Sequence, residues 1–338
     1  MIGPRARRLG DRTRRYRRRS GILMYHCITE ASHDPWGICV SPRAFDEQMS
    51  VLAGRRVAAD LGVLTDDASY TRAGSPIAVT FDDGYADNLL AALPVLERHD
   101  IPVTVFVIGD AIGRTRDFWW DALDQAIVSS PRLPAELDFP FGDGPRRFVL
   151  GDAPGTAEEN RGWRADREPP RNARQLLFRT LWDLIVVLEP AAQDDAVDHL
   201  LAWAECRPAR PAERPALTEA QLDTLLAHPL ITIGSHTLDH VSLTDLPPEQ
   251  QGRQIARGRA RMEEYTGAPV TRFSYPYGRL NASARRAVAA AGIELACTSA
   301  ALPAVRGDDP LALPRLQVTD CDGDGFARWL REEHRLAV

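Results

Sequence analysis

The sequence predicts an α/β fold in which parallel strand–helix units are interrupted by one largely helical insertion, and three observations lead to it. Residues 22–28, 76–81 and 101–109 are short apolar runs with the length and composition of strands buried on both faces. Helix-period segments alternate with them, the pattern of a parallel sheet built from β/α units. From about residue 110 to 215 the alternation stops, and it then resumes to the end of the chain.

Residues 22–28 form the first buried strand, with His26 inside it. A histidine in a core strand is ordinarily a hydrogen-bonded packing residue. Ser41-Pro42 opens a helix with an N-cap and a first-turn proline, and Phe45, Met49 and Leu52 share its apolar face. Residues 76–81 are the next strand and 86–98 the next helix, in which Pro94 imposes a kink or break by removing a backbone donor. The run 101–109 supplies another buried strand.

In the insertion, residues 118–123 begin a helix, 137–150 read as a hairpin around 141–144, and 174–188 and 191–206 as two further helices. Helical spacing makes Trp163, Trp182 and Trp203 packing residues. Trp119 and Trp120 are adjacent and cannot share one helix face, so they are the candidates for a substrate-facing role. After the insertion come a helix at 218–227, opened by the capping box of Thr218 and Gln221, a strand at 231–234 and a long polar helix near 248–265. A strand at 272–275, a helix at 282–291, strands at 294–298 and 313–318 and a closing helix from about 326 complete the chain. The expected organisation is a disordered basic head at 1–20, two halves of one domain at 21–109 and 216–338, and the insertion at 110–215.

With 44% hydrophobic and 26% charged residues, the 338-residue chain has the make-up of a soluble globular protein large enough for a substantial core. Its first twenty residues hold nine arginines and one aspartate, +8, which leaves −14 on the remainder of a chain of net charge −6. Such a head is expected to be a solvated tail. Its charge allows weak contact with an anionic membrane surface, and no specific nucleic-acid partner is expected. Cys27, Cys39, Cys206, Cys297 and Cys321 are scattered, odd in number and free of any Cys-x-x-Cys pair, which argues against a disulfide framework or a thiolate zinc site. The apolar run behind the arginines is too short for a secretory signal, and no span of eighteen apolar residues occurs, so a cytoplasmic location is expected.

The segment 79–84 runs from a buried strand into two adjacent carboxylates, Asp82 and Asp83, and then Gly84. Two acids there are costly unless a metal, a proton or a partner charge compensates them; the plainer alternative is a turn in which Asp83 caps the next helix. His236 and His240 follow another strand four residues apart and would point to one side if a helical turn starts there. Two histidines and one carboxylate make the usual protein ligand set of a catalytic zinc, and the carboxyl ends of parallel strands bring such ligands to one crevice.

These segments resemble the polysaccharide deacetylase family, the NodB-homology carbohydrate esterases of family 4. Thr80-Phe-Asp-Asp-Gly84 is similar to the family's first motif, His236-Thr-Leu-Asp-His240 to its second, and Tyr275-Pro-Tyr-Gly278 to its third, in family order. The resemblance implies a distorted, incomplete (β/α) barrel carrying a largely helical insertion. It also implies that Asp82 is the catalytic base and that Asp83, His236 and His240 hold a divalent metal, zinc first, with cobalt, nickel or manganese as alternatives. Pro276 and Tyr277 are expected to meet the substrate, the backbone N–H of Tyr277 stabilising the oxyanion.

The family's arginine that orients the base would fall at Ser274. Its substitute is Arg272, two residues away on the same strand face, or Arg315 in the segment 313–316. Arg315 is favoured because a Leu-Pro-Arg segment recurs in the subgroup that also has Tyr-Pro-Tyr-Gly. No Leu-x-Leu-x-His motif follows residue 318 to supply the general acid, and His334 lies in a charged terminal helix. Leu23-Met-Tyr-His26 has a similar shape, and relatives with a circularly shifted order carry such a histidine in their first strand, so the resemblance implies His26 as the acid.

The implied reaction removes N-acetyl groups from amino sugars of a polysaccharide or of a lipid- or nucleotide-linked precursor. The motifs do not distinguish sugar amides from a non-sugar linear or cyclic C–N bond. A catalytically silent glycan-binding protein is the remaining reading, and the intact Asp82, Asp83, His236 and His240 stand against it.

Overall fold

The computed structural model describes residues 19–65, 75–142, 144–206 and 212–338. The first half runs β1 (Arg19–Tyr25), β2 (Cys27–Ile28), β3 (Cys39–Val40), α1 (Pro42–Arg55), β4 (Ile77–Phe81), α2 (Leu93–His99) and β5 (Val103–Val107). The insertion contributes α3 (Trp119–Leu123), β6 (Glu136–Phe141), β7 (Gly144–Val149), α4 (Ala157–Asn160), α5 (Ala173–Ile185) and α6 (Pro190–Trp203). Then come α7 (Glu219–Leu226), β8 (Ile231–Ser235), α8 (Pro248–Thr266), β9 (Arg272–Ser274), α9 (Ala282–Ala290), β10 (Leu295–Cys297), β11 (Ala304–Val305), β12 (Leu316–Gln317) and α10 (Gly323–Arg328).

Six strands lie parallel in the order β10-β9-β8-β5-β4-β1. β4 and β5 are buried along their whole length, as central strands covered on both faces must be. The sheet curls until both of its edges meet one short segment. Leu313 bridges Cys297 on the β10 side, and β12 pairs with Leu23 and Met24 of β1 on the other. A few residues of chain thus stand where a full strand would close the barrel, and Arg315 lies among them. The sheet is mixed because β11 runs antiparallel to the start of β1. The α/β class and the incomplete barrel agree with the sequence expectation.

Local signals act as their chemistry requires. Ser41 accepts from the Ala44 N–H to cap α1, and Thr218 and Gln221 form the capping box of α7. Ahead of α2, the turn Asn88–Ala92 widens to i→i+5 bonding, which absorbs the donor missing at Pro94. The hairpin β6–β7 pairs Glu136 with Val149 through to Phe141 with Gly144. The expected head lies outside the described residues except at its end, where Arg19 and Ser20 pair with Val305 and Ala304. Those two residues belong to the sheet, not to a tail. Among the described residues no helix is long and apolar enough to cross a membrane.

The core around the insertion is shared with the barrel: Trp119, Trp163, Phe178, Leu181 and Leu200 are buried together with Cys27, Cys39, Tyr85 and Ala216. Arg214 stands at the insertion's junction with the barrel. Its backbone N–H donates to Asp117 Oδ1 at 2.9 Å, and its guanidinium lies 2.7 Å from Asp121 Oδ1 and 3.9 Å from Asp124 Oδ2. One guanidinium does not compensate all the carboxylates around it. Burial holds Asp121 up at about 6 and Asp124 at about 7 against the pull of Arg214.

Candidate active site

The site residues converge because their strands end together. Asp82 and Asp83 follow β4, His236 and His240 follow β8, Ser274 ends β9 just ahead of Pro276 and Tyr277, and His26 follows β1. His26 is not inside a continuous strand, as the sequence suggested. β1 stops at Tyr25 and β2 starts at Cys27, so the half-buried His26 sits at the break and lines the cavity with Asp82, Asp83 and His236.

The carboxylate pair is presented by a left-handed turn in which Asp83 has φ 72° and Gly84 φ 76°. A Cβ on Gly84 would also lie 3.0 Å from Val107, so backbone and space both favour glycine there. Asp83 is no simple helix cap: its Oδ1 is buried, accepts no hydrogen bond among the described residues and faces two imidazoles. The helical turn considered for the histidines does not form. Thr237 (φ 65°) and His240 (φ 57°) are left-handed and reverse the chain instead. Thr237 Oγ1 accepts from the His240 N–H at 3.0 Å. Helix α8 presses on this loop at Gly258, where a Cβ would lie 2.3 Å from the Thr237 carbonyl carbon.

The result is a three-donor set. The Nε2 atoms of His236 and His240 each lie 3.4 Å from Asp83 Oδ1, and one ligand atom from each residue falls within 4.8 Å of the others. Ligands about 2.0–2.1 Å from a tetrahedral ion are about 3.3–3.4 Å apart, so these donors fit a zinc-sized divalent metal. His236 Nδ1 lies 2.8 Å from the Ser274 carbonyl, which accepts its proton and leaves the Nε2 lone pair directed at the set. Burial, against the pull of Asp83, pushes His240 down to about 3, so it is neutral, as a ligand must be. Burial alone would lower His236 as well, but the Asp82 and Asp83 carboxylates raise it.

Asp82 is held differently. Arg315 Nη1 donates to its Oδ1 at 2.7 Å and Nη2 to its Oδ2 at 2.6 Å, while Ser274 Oγ donates to Oδ2 at 3.1 Å. Burial would raise this carboxyl, but the Arg315 and His236 charges hold it well below the usual carboxylate range. Of the two arginines left open by the sequence, Arg272 is engaged elsewhere, on Asp60 at 2.7 Å and Thr104 at 2.6 Å. Ser274, which stands where the resemblance implied an arginine, therefore shares Asp82 with Arg315. His334 lies away from the cavity, its ring edge-on to Trp329 at 4.5 Å.

The cavity over these groups holds about 480 Å³. Tyr277, left-handed at φ 57°, stands with its ring 4.6 Å from that of His240, and burial raises its phenol. The insertion supplies the facing wall, and here the sequence expectation holds for Trp120, which lines the cavity with its ring 4.6 Å from that of His240, and is corrected for Trp119. Trp119 is buried in the insertion core, and Trp120 reaches the cavity from within it, with Nε1 donating to the Tyr85 hydroxyl at 2.7 Å. Trp182, read from its spacing as packing, lines the cavity, as does Trp36. A loop tryptophan and a half-buried helical one carry no local signal of this; only the fold brings them there.

The polysaccharide deacetylase family model matches residues 69–132 and 203–296, two segments on either side of most of the insertion. YxkH of Bacillus subtilis, a curated relative whose name places it among the polysaccharide deacetylases, is 31% identical over 115 residues. That match spans 34% of this chain and 41% of the relative, so the chain spans about two fifths of the curated protein's length. Among solved structures, the Streptococcus pyogenes deacetylase PplD aligns with a TM-score of 0.55 at 15% identity, covering 92% of this chain and 98% of that one. IcaB from Ammonifex degensii aligns with a TM-score of 0.52 at 19% identity, covering 92% and 95%. At such identities these structures speak for the fold, and the curled sheet with flanking helices is common to them. Two matched segments in chain order, a curated relative and a common barrel agree with the three motifs: over those segments the chain carries a polysaccharide deacetylase domain.

Proposed function

We propose that the chain is a hydrolase that removes N-acetyl groups from amino sugars of a polysaccharide or glycan precursor. The observation that carries this reading is one cavity in which an Asp82 locked by Arg315 stands beside the three-donor set of Asp83, His236 and His240. A divalent metal held by those three residues, zinc by the character of the donors, would polarise the amide carbonyl and lower the pKa of water.

The remaining work falls to side chains and backbone. Asp82 accepts the proton of the attacking water at a carboxylate oxygen, while the Arg315 fork and Ser274 fix its plane. Tyr277, left-handed at φ 57° and lining the cavity, offers its backbone N–H to the carbonyl oxygen in this reading, where negative charge gathers as the tetrahedral centre forms. His26 lines the same cavity with a buried Nδ1 that has no hydrogen-bond partner among the described residues. It gives a proton to the departing nitrogen as the C–N bond breaks, so acetate and a free amine leave.

The test is acetate release by metal-loaded protein across chitooligosaccharides, peptidoglycan fragments and nucleotide-linked amino sugars, with cyclic amides in parallel. Acetate from any of the sugars supports the reading. Turnover of the cyclic amides alone, or of nothing in the panel, overturns it.

A further inference from the structure

Resting on that reading, we propose that Trp36 and Trp182 form a stacking platform for a second sugar ring, so that the substrate is at least a disaccharide unit. Trp36 comes from the loop between β2 and β3 and Trp182 from α5. Their ring centroids lie 4.1 Å apart at 46°, and Phe178 supports both from the insertion core at 6.0 and 6.4 Å. Both tryptophans are half-buried, unlike the enclosed Trp119 and Trp163.

Position sets the platform apart from the reacting centre. The Tyr277 ring is 4.6 Å from that of His240, and Trp182 stands edge-on beyond Tyr277 at 6.2 Å. A sugar whose N-acetyl carbonyl reaches the His240 side therefore leaves the tryptophans to its neighbour. Polar groups surround the aromatic pair: the Arg179 guanidinium lies over the Trp36 ring at 5.9 Å, and Asp183, Asp166 and Arg279 line the same cavity. Asp166 is paired with Arg164 at 2.9 Å and Arg279 with Asp245 at 3.3 Å, so these charges are already engaged. Planar hydrogen-bonding groups around an apolar face suit an uncharged ring with a C–H face and hydroxyl edges. The platform is also preformed, since Gln317 Nε2 donates to the Trp36 and Gly37 carbonyls at 2.9 and 2.8 Å and fixes their loop.

The test compares kcat/KM for N-acetylglucosamine, its disaccharide and its trisaccharide in wild type, Trp182→Leu and Trp182→Phe. The wild type favours the disaccharide over the monosaccharide. Trp182→Leu keeps apolar packing on Phe178 but loses the aromatic face, and lowers that ratio roughly three- to tenfold, the worth of one aromatic contact. Trp182→Phe restores most of it. A ratio unchanged in Trp182→Leu, or no preference in the wild type, overturns the platform. Tryptophan-fluorescence titration with the disaccharide separates the two readings. A binding signal lost in Trp182→Leu, with no acetate released from any sugar, refutes the deacetylase chemistry and keeps the platform; no signal from any of the three sugars refutes the platform.

Discussion

Replacing Arg315 tests whether one buried guanidinium both orients Asp82 and holds the seam of the barrel. All five of its N–H groups are engaged: Nε on the Thr298 carbonyl, Nη1 on Thr80 Oγ1 and Asp82 Oδ1, and Nη2 on Asp82 Oδ2 and Ser274 Oγ. Arg315→Met fills much of the volume but leaves a buried carboxylate without its counter-charge, a loss that costs about 3–5 kcal/mol. Changing Asp82→Asn in the same chain removes the uncompensated charge, so the double variant should recover about 2–3 kcal/mol of that cost. Guanidinium chloride unfolding of the four metal-free proteins gives the coupling energy. A value below about 1 kcal/mol would match an exposed ion pair and refute the reasoning. Arg315→Lys, with a point charge and no fork, should lower kcat at least about tenfold while bound metal is unchanged; an unaltered kcat removes Arg315 from the orienting role.

Other outcomes follow from the same geometry. Asp82→Asn should retain metal yet lose turnover by about 10²–10⁴-fold, whereas Asp83→Ala or His236→Ala should lose the metal too, as elemental analysis of purified protein will show. His26→Ala should lower kcat by about 10²-fold or more with metal content intact; a wild-type kcat would return His26 to packing. Gly258→Ala drives a methyl into Thr237 and Leu238 and should cost about 1–3 kcal/mol while weakening metal binding, whereas retained metal affinity would show that α8 does not set the histidine loop. Burial holds Asp124 at about 7, above its value in the unfolded chain, so the folded state keeps a proton that the unfolded chain sheds and stability falls as pH rises from about 4 to 7. Asp124→Asn should flatten that fall and exceed the wild type at pH 8 by up to about 4 kcal/mol, roughly three units at 1.36 each; urea midpoints at pH 5 and 8 with a wild-type difference between them would refute it.

The parallel core was legible because its information is local. Runs such as 77–81 and 103–107 are apolar throughout, and a segment buried on both faces has no other economical conformation. Capping residues and prolines likewise act within a turn, which is why the starts of α1 and α7 sit where Ser41 and Thr218 put them. The histidine loop was read in the wrong conformation but with the right outcome. Spacing of four suggested a helical turn, while two left-handed residues, positioned by contact with α8, achieve the same convergence. Nothing within residues 236–240 announces that contact, since Gly258 lies on another element.

The outer support of the site was hidden for the same reason. Asp82 and Arg315 are 233 residues apart, and the pairing exists because the segment between Leu313 and β12 bridges the two edges of a curled sheet. Sequence left Arg272 open beside Arg315, which only the resemblance favoured. The difference is the neighbour each meets, Asp60 for Arg272 and Asp82 for Arg315, and a single sequence does not list neighbours across a barrel. The insertion shows the limit most sharply. Helical spacing sorted its tryptophans by which face they share, yet a face that packs and a face that lines a cavity obey the same period. Trp182 packs Phe178 on one side and lines the cavity on the other, so its helix obeys the packing rule and still builds a wall of the site. Chemistry held by short motifs is therefore readable before the fold is known, whereas whatever selects the substrate from the insertion side depends on how the insertion docks on the barrel.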